Sequence, residues 1–132
     1  MLIDSHCHLL SSEYNDVDKE IKEAIDSGVG KIIINGYDLK SSMEAVNLSE
    51  KYQEVYAAVG IGPENIGSVT DEDIFKIKNL TNNKKVIAIG EIGLDYYWNT
   101  ENKEIQKKAF IEQIKLSNEL DLPIVIHTRD AV

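Results

Sequence analysis

Short apolar runs alternate with amphipathic segments along the whole sequence, and this alternation limits the folds that are open to the chain. Five runs have the apolar character of buried strands: 2–8, 31–35, 55–61, 86–91 and 124–127. Apolar residues recur at helical spacing in the four segments between them: 17–27, 41–52, 71–82 and 101–120. Strands that alternate with helices predict a parallel α/β sheet with right-handed crossovers. The sheet belongs either to a (β/α) barrel or to a doubly wound open fold.

An Asp-x-His-x-His motif ends the first predicted strand. Side chains alternate between the two faces of a strand, so Asp4, His6 and His8 are expected on one side and Ser5 and Cys7 on the other. Two neutral imidazoles on one side of a strand are typical of a catalytic divalent metal site. We therefore predict His6 and His8 as metal ligands. Asp4 either binds the metal directly or orients one of these histidines through a hydrogen bond.

Two further candidate ligands close later strands. Glu91 ends the fourth predicted strand and His127 ends the fifth. The carboxyl ends of parallel strands form the catalytic face of a (β/α) barrel, so these residues are expected to meet the histidines of the first strand. Glu91 has two oxygens with which to bridge two ions, and the alternative is an ion pair with a lysine. His127 is either a ligand or a hydrogen-bonded core histidine.

Several residues near these strand ends are candidate substrate contacts. Arg129, the only arginine of the chain, follows His127 by two positions. It could clamp a phosphate bidentately, or it could pair with Asp95 or Asp130. We expect Asp95 to brace the loop after the fourth strand. The aromatic residues of this loop could stack on nucleobases or pack against the barrel: Tyr96, Tyr97 and Trp98.

Composition limits the location and the partners of the protein. The 132-residue chain carries a net charge of −9 and a single cysteine, Cys7. A free thiol suits a reducing compartment, and no apolar run approaches the roughly 20 residues that span a bilayer. We therefore expect a cytoplasmic protein without a membrane partner. The negative charge argues against a broad basic surface for nucleic acid, so an anionic substrate would be held locally, by metal.

Four segments together resemble the TatD family of metal-dependent deoxyribonucleases, within the amidohydrolase-like barrels. They are residues 3–8, 58–61, 89–97 and 122–131. The specific part is Gly-Glu-Ile-Gly-Leu-Asp-Tyr followed by Ile-His-x-Arg-Asp-Ala, since Asp-x-His-x-His alone occurs in many hydrolases. The resemblance implies a TIM-type (β/α) barrel in which His6 and His8 bind one divalent ion, Glu91 bridges two ions, and His127 binds the second.

The same resemblance implies hydrolysis of DNA phosphodiester bonds by water activated between two divalent ions (Mg, Mn or Zn). Complete barrels of this type have about 250 residues, so residues 1–132 are expected to form an incomplete barrel without its C-terminal part. A later histidine and the aspartate that acts as general base would then lie outside this chain. The outer strands would be open edges through which the chain could self-associate.

One segment departs from the family pattern. Family members usually have Gly-Ile-His-Pro-His after the third strand, whereas this chain has Gly60-Ile-Gly-Pro-Glu64. Two imidazoles of the usual substrate groove are thus absent. Two other functions remain open: an amidohydrolase that cleaves C–N bonds, which a lysine in place of Glu91 would favour, and a non-catalytic, metal-binding partial barrel.

Overall fold

The computed structural model describes residues 1–67 and 69–132. Within these residues, strands and helices alternate as follows: β1 Leu2–Cys7, α1 Val17–Asp26, β2 Val29–Asn35, α2 Leu39–Lys51, β3 Val55–Val59, α3 Asp71–Leu80, β4 Val86–Asp95, α4 Lys103–Leu120 and β5 Ile124–Arg129. A short 3-10 turn, Pro63–Asn65, follows β3. The strands pair in parallel in the order β1-β2-β3-β4-β5. This is the predicted incomplete (β/α) barrel.

The last two strands run further than the sequence predicts. β4 continues past Glu91 to Asp95, and β5 continues past His127 to Arg129. The added residues pair with one another, since Gly93 lies opposite His127 and Asp95 lies opposite Arg129. Each extension depends on the other strand for its hydrogen bonds, which a reading of local sequence does not reveal. Asp95 is therefore a strand residue and not a loop residue.

Three helices, α1, α2 and α3, begin at side chains that accept hydrogen bonds from their free N–H groups. In α1 the carboxylate of Asp16 accepts from the backbone of Lys19. Capping boxes start α2 and α3, each formed by a reciprocal pair of side chain and backbone: Asp38 with Ser41, and Thr70 with Asp73. In the described part of the chain, every helix is too short or too polar to cross a membrane.

The core lies where the central strands pack against the helices. On β2, Ile32 and Ile34 are buried while Ile33 between them is half-buried. The same cluster contains buried residues of β3, β4 and all four helices: Ile21, Ala45, Val55, Val59, Ile77, Ile89, Ala109 and Leu116. Full burial of one isoleucine side chain contributes about 1.5–3 kcal/mol. The central strands β2, β3 and β4 thus form the stable platform from which the site is built.

Candidate metal centre

The four predicted ligands meet at the carboxyl ends of the strands. Nε2 of His6 lies 3.5 Å from Oε1 of Glu91, Nε2 of His8 lies 3.2 Å from its Oε2, and Nδ1 of His127 lies 3.0 Å from Oε1. In a flat sheet β1 and β4 would lie about 14 Å apart, because neighbouring strands are about 4.8 Å apart. The sheet is therefore rolled, as in a barrel, and Glu91 contacts histidines from both outer strands.

The end of β2 orients both partners of the contact between His8 and Glu91. Nδ1 of His8 lies 2.8 Å from the backbone oxygen of Asn35, and the backbone N–H of Glu91 donates to the oxygen of Gly36 over 2.7 Å. A carbonyl oxygen only accepts, so Nδ1 of His8 carries a proton. In neutral His8 the lone pair of Nε2 is consequently directed at the Glu91 carboxylate.

A lone pair and a carboxylate repel each other unless a cation, either a proton or a metal ion, lies between the two groups. The ligand atoms of His6, His8 and Glu91 all lie within 4.8 Å of one another. Ligands of a tetrahedral ion held at about 2.0–2.1 Å are about 3.3 Å apart. The contacts of Glu91 with His6 and His8, 3.5 and 3.2 Å, agree with this spacing. The residues present therefore fit a divalent ion.

The charges of this group favour an ionised carboxylate. The hydrogen bond to Glu91 raises the pKa of His8, and it outweighs the opposite effect of partial burial. Burial by itself would raise the pKa of Glu91. The hydrogen bond with His8 and the charges of His8, His6 and His127 nevertheless hold the pKa of Glu91 below its ordinary value. Glu91 is thus ionised at neutral pH, as a metal ligand must be.

A second group of possible ligands surrounds the other side of His127. The ligand atoms of Glu64, Asp95 and His127 lie within 4.8 Å of one another, and Nε2 of His127 is 2.9 Å from Oδ2 of Asp95. The other oxygen of Asp95 accepts from the backbone of Tyr97 over 3.0 Å, which braces the turn after β4. The sequence analysis did not select Glu64, although its place in the divergent Gly60–Glu64 segment was the available signal.

Two buried glutamines of α4, also missed, hold the backbone on either side of this second group. Oε1 of Gln106 accepts from Asp95 N–H over 2.9 Å, and its Nε2 donates to Asp95 O over 2.8 Å. Gln113 makes the same pair of bonds with Ile61, at 2.8 and 2.9 Å. The two glutamines lie about two turns apart on one helix face. Their sequence signal is a pair of polar residues within the apolar face of α4.

A cavity of about 330 Å³ opens over both ligand groups. It is lined by residues of several strand ends and loops: His8, Glu13, Tyr37, Gly62, Pro63, Glu64, Glu91 and His127. Three of these residues are glutamates. The cavity is therefore suited to cations, and an anionic substrate entering it would need them as counter-charges.

Asp4 does not follow simple strand alternation. In the register of β1 with β2, Asp4 lies opposite Ile32 and Cys7 lies opposite Ile34, so β1 bulges between these positions. The exposed carboxylate of Asp4 accepts from the backbone N–H of His6 over 3.2 Å. Its described contact is thus with the backbone of a candidate ligand and not with an imidazole.

Cys7 packs against the core, on the side of β1 away from the candidate ligands. Its Sγ lies 3.5 Å from the backbone oxygen of Ile33. Burial, followed by the charge of Asp4, raises the pKa of the Cys7 thiol to about 11. A neutral, half-buried thiol is a poor metal ligand, so the geometry keeps Cys7 outside the candidate site.

Arg129 stacks on the aromatic residues after β4. Its guanidinium carbon lies 3.8 Å from the ring centre of Tyr97 and 5.5 Å from that of Trp98. The two rings meet edge to face at 4.8 Å. Among the described residues Arg129 forms no ion pair, so the alternative pairing with Asp95 or Asp130 is absent there.

The three aromatic residues differ in exposure. Trp98 is 69% exposed and Tyr97 is 53% exposed. Tyr96 is half-buried, with Nζ of Lys103 at 4.6 Å from its ring centre and its hydroxyl buried. Tyr97 and Trp98, with Arg129, thus form an exposed aromatic and cationic surface beside the second ligand group.

Comparison with known proteins agrees with the fold. The sequence profile described as TatD related DNase matches residues 3–132. The uncharacterized metal-dependent hydrolase YabD of Bacillus subtilis is 42% identical over 99% of this chain and 52% of its own length. The 3'-5' ssDNA/RNA exonuclease TatD of Shigella flexneri is 33% identical over 98% of this chain and 50% of its own length.

Two solved structures share the fold of this chain. The crystal structure of YjjV, a TatD homolog from Escherichia coli, superposes with a TM-score of 0.85 at 30% identity, over 98% of this chain and 51% of that one. An uncharacterized amidohydrolase from Saccharomyces cerevisiae, 23% identical with a TM-score of 0.81, shares the fold. The chain spans about half the length of the curated relatives it matches. These matches confirm the predicted resemblance, and the chain belongs to the TatD-related DNase family of metal-dependent hydrolases.

Proposed function

We propose that this protein takes part in the hydrolysis of DNA phosphodiester bonds, using two divalent ions (Mg, Mn or Zn) at His6, His8, Glu91 and His127. The observation that carries this proposal is the convergence of three histidines from the two outer strands on one ionised carboxylate. Divalent ions held there would supply Lewis-acid activation of a phosphoryl group and of water. One relative is named as an exonuclease of single-stranded DNA and RNA, which supports a nucleic-acid substrate.

The residues around the ligands have distinct proposed roles. Glu91 links the two ligand groups, because its Oε1 is near both His6 and His127. Asp4 and Asp95 position neighbouring ligands through hydrogen bonds to the backbone of His6 and to the ring of His127. We propose no general base among the residues of this chain.

The exposed aromatic surface is proposed to contact the nucleic acid. Stacking of a nucleobase on an aromatic ring contributes about 1–3 kcal/mol per base and tolerates any sequence. Trp98 and Tyr97 expose the rings for such stacking, and Arg129 places a cation beside them for a phosphate. The sequence predicts Tyr96 as a substrate contact together with Trp98. Tyr96 exposes less ring surface for stacking, because it is half-buried beside Lys103.

The outer strands support a proposal about assembly. Leu2, Ile3 and Ile126 expose more than half of their surface on β1 and β5. We propose that residues 1–132 form one partial-barrel domain and that its outer strands pair with further strands, including those of a second copy. We also place the protein in the cytoplasm, where an unpaired thiol such as that of Cys7 persists.

Cleavage of labelled single-stranded DNA and RNA oligonucleotides tests the proposed activity. We expect hydrolysis that requires Mg²⁺, Mn²⁺ or Zn²⁺, stops with a chelator, and falls about 100-fold or more in Glu91→Gln, because misplaced metal ligands cost this much in rate. Glu104→Gln makes the same chemical change on an exposed face of α4 and should retain the activity. Metal binding without metal-dependent cleavage would favour the non-catalytic alternative instead.

A further inference from the structure

A buried hydroxyl of α2 holds the chain just after β3. Ser42 is completely buried. Its Oγ donates to the backbone oxygen of Gly60 and accepts from the backbone N–H of Gly60, both over 3.1 Å. A serine hydroxyl has one proton to donate and lone pairs that accept, so both bonds form at once. One side chain of α2 therefore satisfies both backbone groups of Gly60 and fixes its place.

Gly60 lies directly against the chain that leads into Glu91. A Cβ at position 60 would be 3.0 Å from the carbonyl carbon of Gly90 and 3.1 Å from its Cα. The two glycine backbones thus pack with no room for a side chain between them. Gly90 and Glu91 share one planar peptide group, so the place of Gly90 sets the point from which the Glu91 side chain starts. This contact is one route from Ser42 to the candidate metal centre.

Gly36 provides a second route. A Cβ at position 36 would lie 2.3 Å from Oγ of Ser42 and 2.5 Å from its Cα, so the chain after β2 is in tight contact with α2. The backbone oxygen of Gly36 accepts from the N–H of Glu91 over 2.7 Å, and its own N–H donates to the oxygen of Ala58 over 3.0 Å. Gly36 is therefore held between Ser42 and the backbone of Glu91.

Ser42 acts on the position of Glu91 and not on its chemistry. Ser42 does not line the cavity over the ligand groups, so an ion or a substrate that enters the cavity does not touch its hydroxyl. Glu91, in contrast, lies 3.5, 3.2 and 3.0 Å from the three histidines. A metal centre needs its ligands within about 0.5 Å of the productive geometry. A small movement of Glu91 would therefore disturb the whole centre.

We propose that Ser42 is a positioning residue of the candidate metal centre. From α2 it fixes Gly60 and Gly36, and through these two glycines it fixes Glu91. The proposal rests on the proposed function of Glu91 as a metal ligand. Its consequence is that loss of the Ser42 hydroxyl weakens metal binding by more than its effect on stability explains.

Ser49 offers a matched control on the same helix. Ser49 is 2% exposed, and its Oγ donates to the oxygen of Val46 within α2 over 2.6 Å. Ser42→Ala and Ser49→Ala each remove one buried hydroxyl, so urea denaturation should show a loss of stability in both. Zn²⁺ binding of the folded variants, measured by calorimetry, should weaken about tenfold or more in Ser42→Ala and less than about twofold in Ser49→Ala.

Spectra of the histidine side chains measure the same effect without metal. The chain contains three histidines, so their nitrogen-15 signals can be assigned by substitution. Because all three imidazoles lie close to Glu91, a displaced carboxylate should shift their signals in Ser42→Ala at constant pH. Ser49→Ala should leave these signals unchanged.

Gly60→Ala tests the backbone route with the Ser42 hydroxyl still present, and it serves if Ser42→Ala does not fold. The added Cβ would press on Gly90, so the variant should shift the same histidine signals and weaken Zn²⁺ binding. Gly67→Ala is its control, because a Cβ there would meet nothing within 4 Å. Unchanged histidine signals in a folded Gly60→Ala variant overturn the route through Gly60 and with it the proposal.

The outcomes separate this inference from the proposed function. Equal effects of Ser42→Ala and Ser49→Ala on Zn²⁺ binding and on the histidine signals overturn the positioning role and leave Ser42 as a stabilising residue only. If the native chain binds no Zn²⁺, the proposed metal-dependent function fails, and the metal-free spectra decide the positioning role. Histidine signals that shift in Ser42→Ala alone then support it, and signals that stay unchanged overturn it.

Discussion

The central strands and the outer strands of this sheet differ in burial and in the candidate ligands that they carry. On β2 and β3, residues such as Ile34 and Val55 are completely buried. On the outer strands, Ile3 of β1 is 57% exposed and Ile126 of β5 is 51% exposed. Yet all three histidines of the candidate site lie on or directly after the outer strands. Most of the stabilising burial and most of the candidate ligands thus lie in different parts of the sheet.

This separation shows where the geometry of the site is determined. Glu91, on the central strand β4, is the carboxylate that the histidines of both outer strands approach. The outer strands pair with their neighbours along much of their length, and some of their specific contacts lie near the ligands. One is the bond from His8 to the oxygen of Asn35, and another is the close passage of Gly93 against His127. Changes at such contacts should harm the site more than changes elsewhere on β1 or β5.

The largest effect is expected for Gly93→Ala. A Cβ at position 93 would lie 1.9 Å from the backbone oxygen of His127, and Gly93 has φ +148°, a conformation that L residues rarely adopt. The substitution should push β5 away from β4, remove the contact of His127 with Glu91, and cost about 3–5 kcal/mol of unfolding free energy. Urea denaturation measures the cost, and the side-chain spectrum of His127 reports the displacement.

Gly67→Ala is the matched control, because a Cβ there would meet nothing within 4 Å. Its expected cost is below about 0.5 kcal/mol. Equal costs for the two alanine variants would mean that β5 is loosely placed against β4. In that case it would be wrong to expect that changes near the ligands harm the site more than changes elsewhere on β1 or β5.

A second pair of variants compares the two kinds of strand directly. Ile34→Ala removes a completely buried side chain and should cost about 3 kcal/mol. Ile126→Ala should cost less than about 0.5 kcal/mol at low protein concentration, because half of that side chain is already exposed. Chemical denaturation measures both values.

Repeating the measurement at high protein concentration sharpens this second comparison. If the outer strands pair with a second copy, the cost of Ile126→Ala should increase with concentration, because association contributes to the stability of the native state. Sedimentation velocity on the same samples detects the dimer. A cost that is large already for a monomer would show that β5 is covered by part of its own chain.

The central part of the fold could be predicted from local sequence. The run Lys31–Asn35 and the helix over 41–52 carry strong β and helical patterns, and the structure has β2 and α2 there. The bulge in β1 and the extension of β4 to Asp95 could not be predicted in this way. Both depend on pairing with a strand that is distant in sequence, and local patterns do not encode that register.

The candidate site likewise has residues that could be predicted from local sequence and residues that could not. His6, His8, Glu91 and His127 carry strand-end and motif signals, and the structure brings them together. Glu64 lies near His127 on a segment after β3 that is held in part by a glutamine 52 residues away from Ile61, and such a contact leaves no local pattern. The choice between Tyr96 and Tyr97 likewise required the structure, since neighbouring aromatic residues look alike in sequence.

The smallest effect is expected for an exposed hydrogen-bonded contact between α1 and the end of α2. The carboxylate of Asp18 accepts from Nζ of Lys51 over 2.7 Å and from the hydroxyl of Tyr52. The hydrogen bond from Lys51, and then that from Tyr52, lower the pKa of Asp18 below its ordinary value of 3.8. A carboxylate whose pKa is lowered by folding stabilises the protein above its ordinary pKa. That stabilisation is lost as the pH falls through the lower, folded value.

Because α1 connects β1 to β2, this contact helps to fasten an outer strand to the centre. Thermal unfolding at a series of pH values should show Asp18→Asn less stable than the native chain near pH 6, with the gap closing as the pH falls below about 4. Asp26→Asn, on the same helix and without an ion pair in the described part of the chain, should show no such closing gap. The effect should be small and weaken with salt, since exposed ion pairs are screened. A gap that is constant with pH would mean that Asp18 acts through uncharged contacts, and that α1 is held to the centre by its buried face alone.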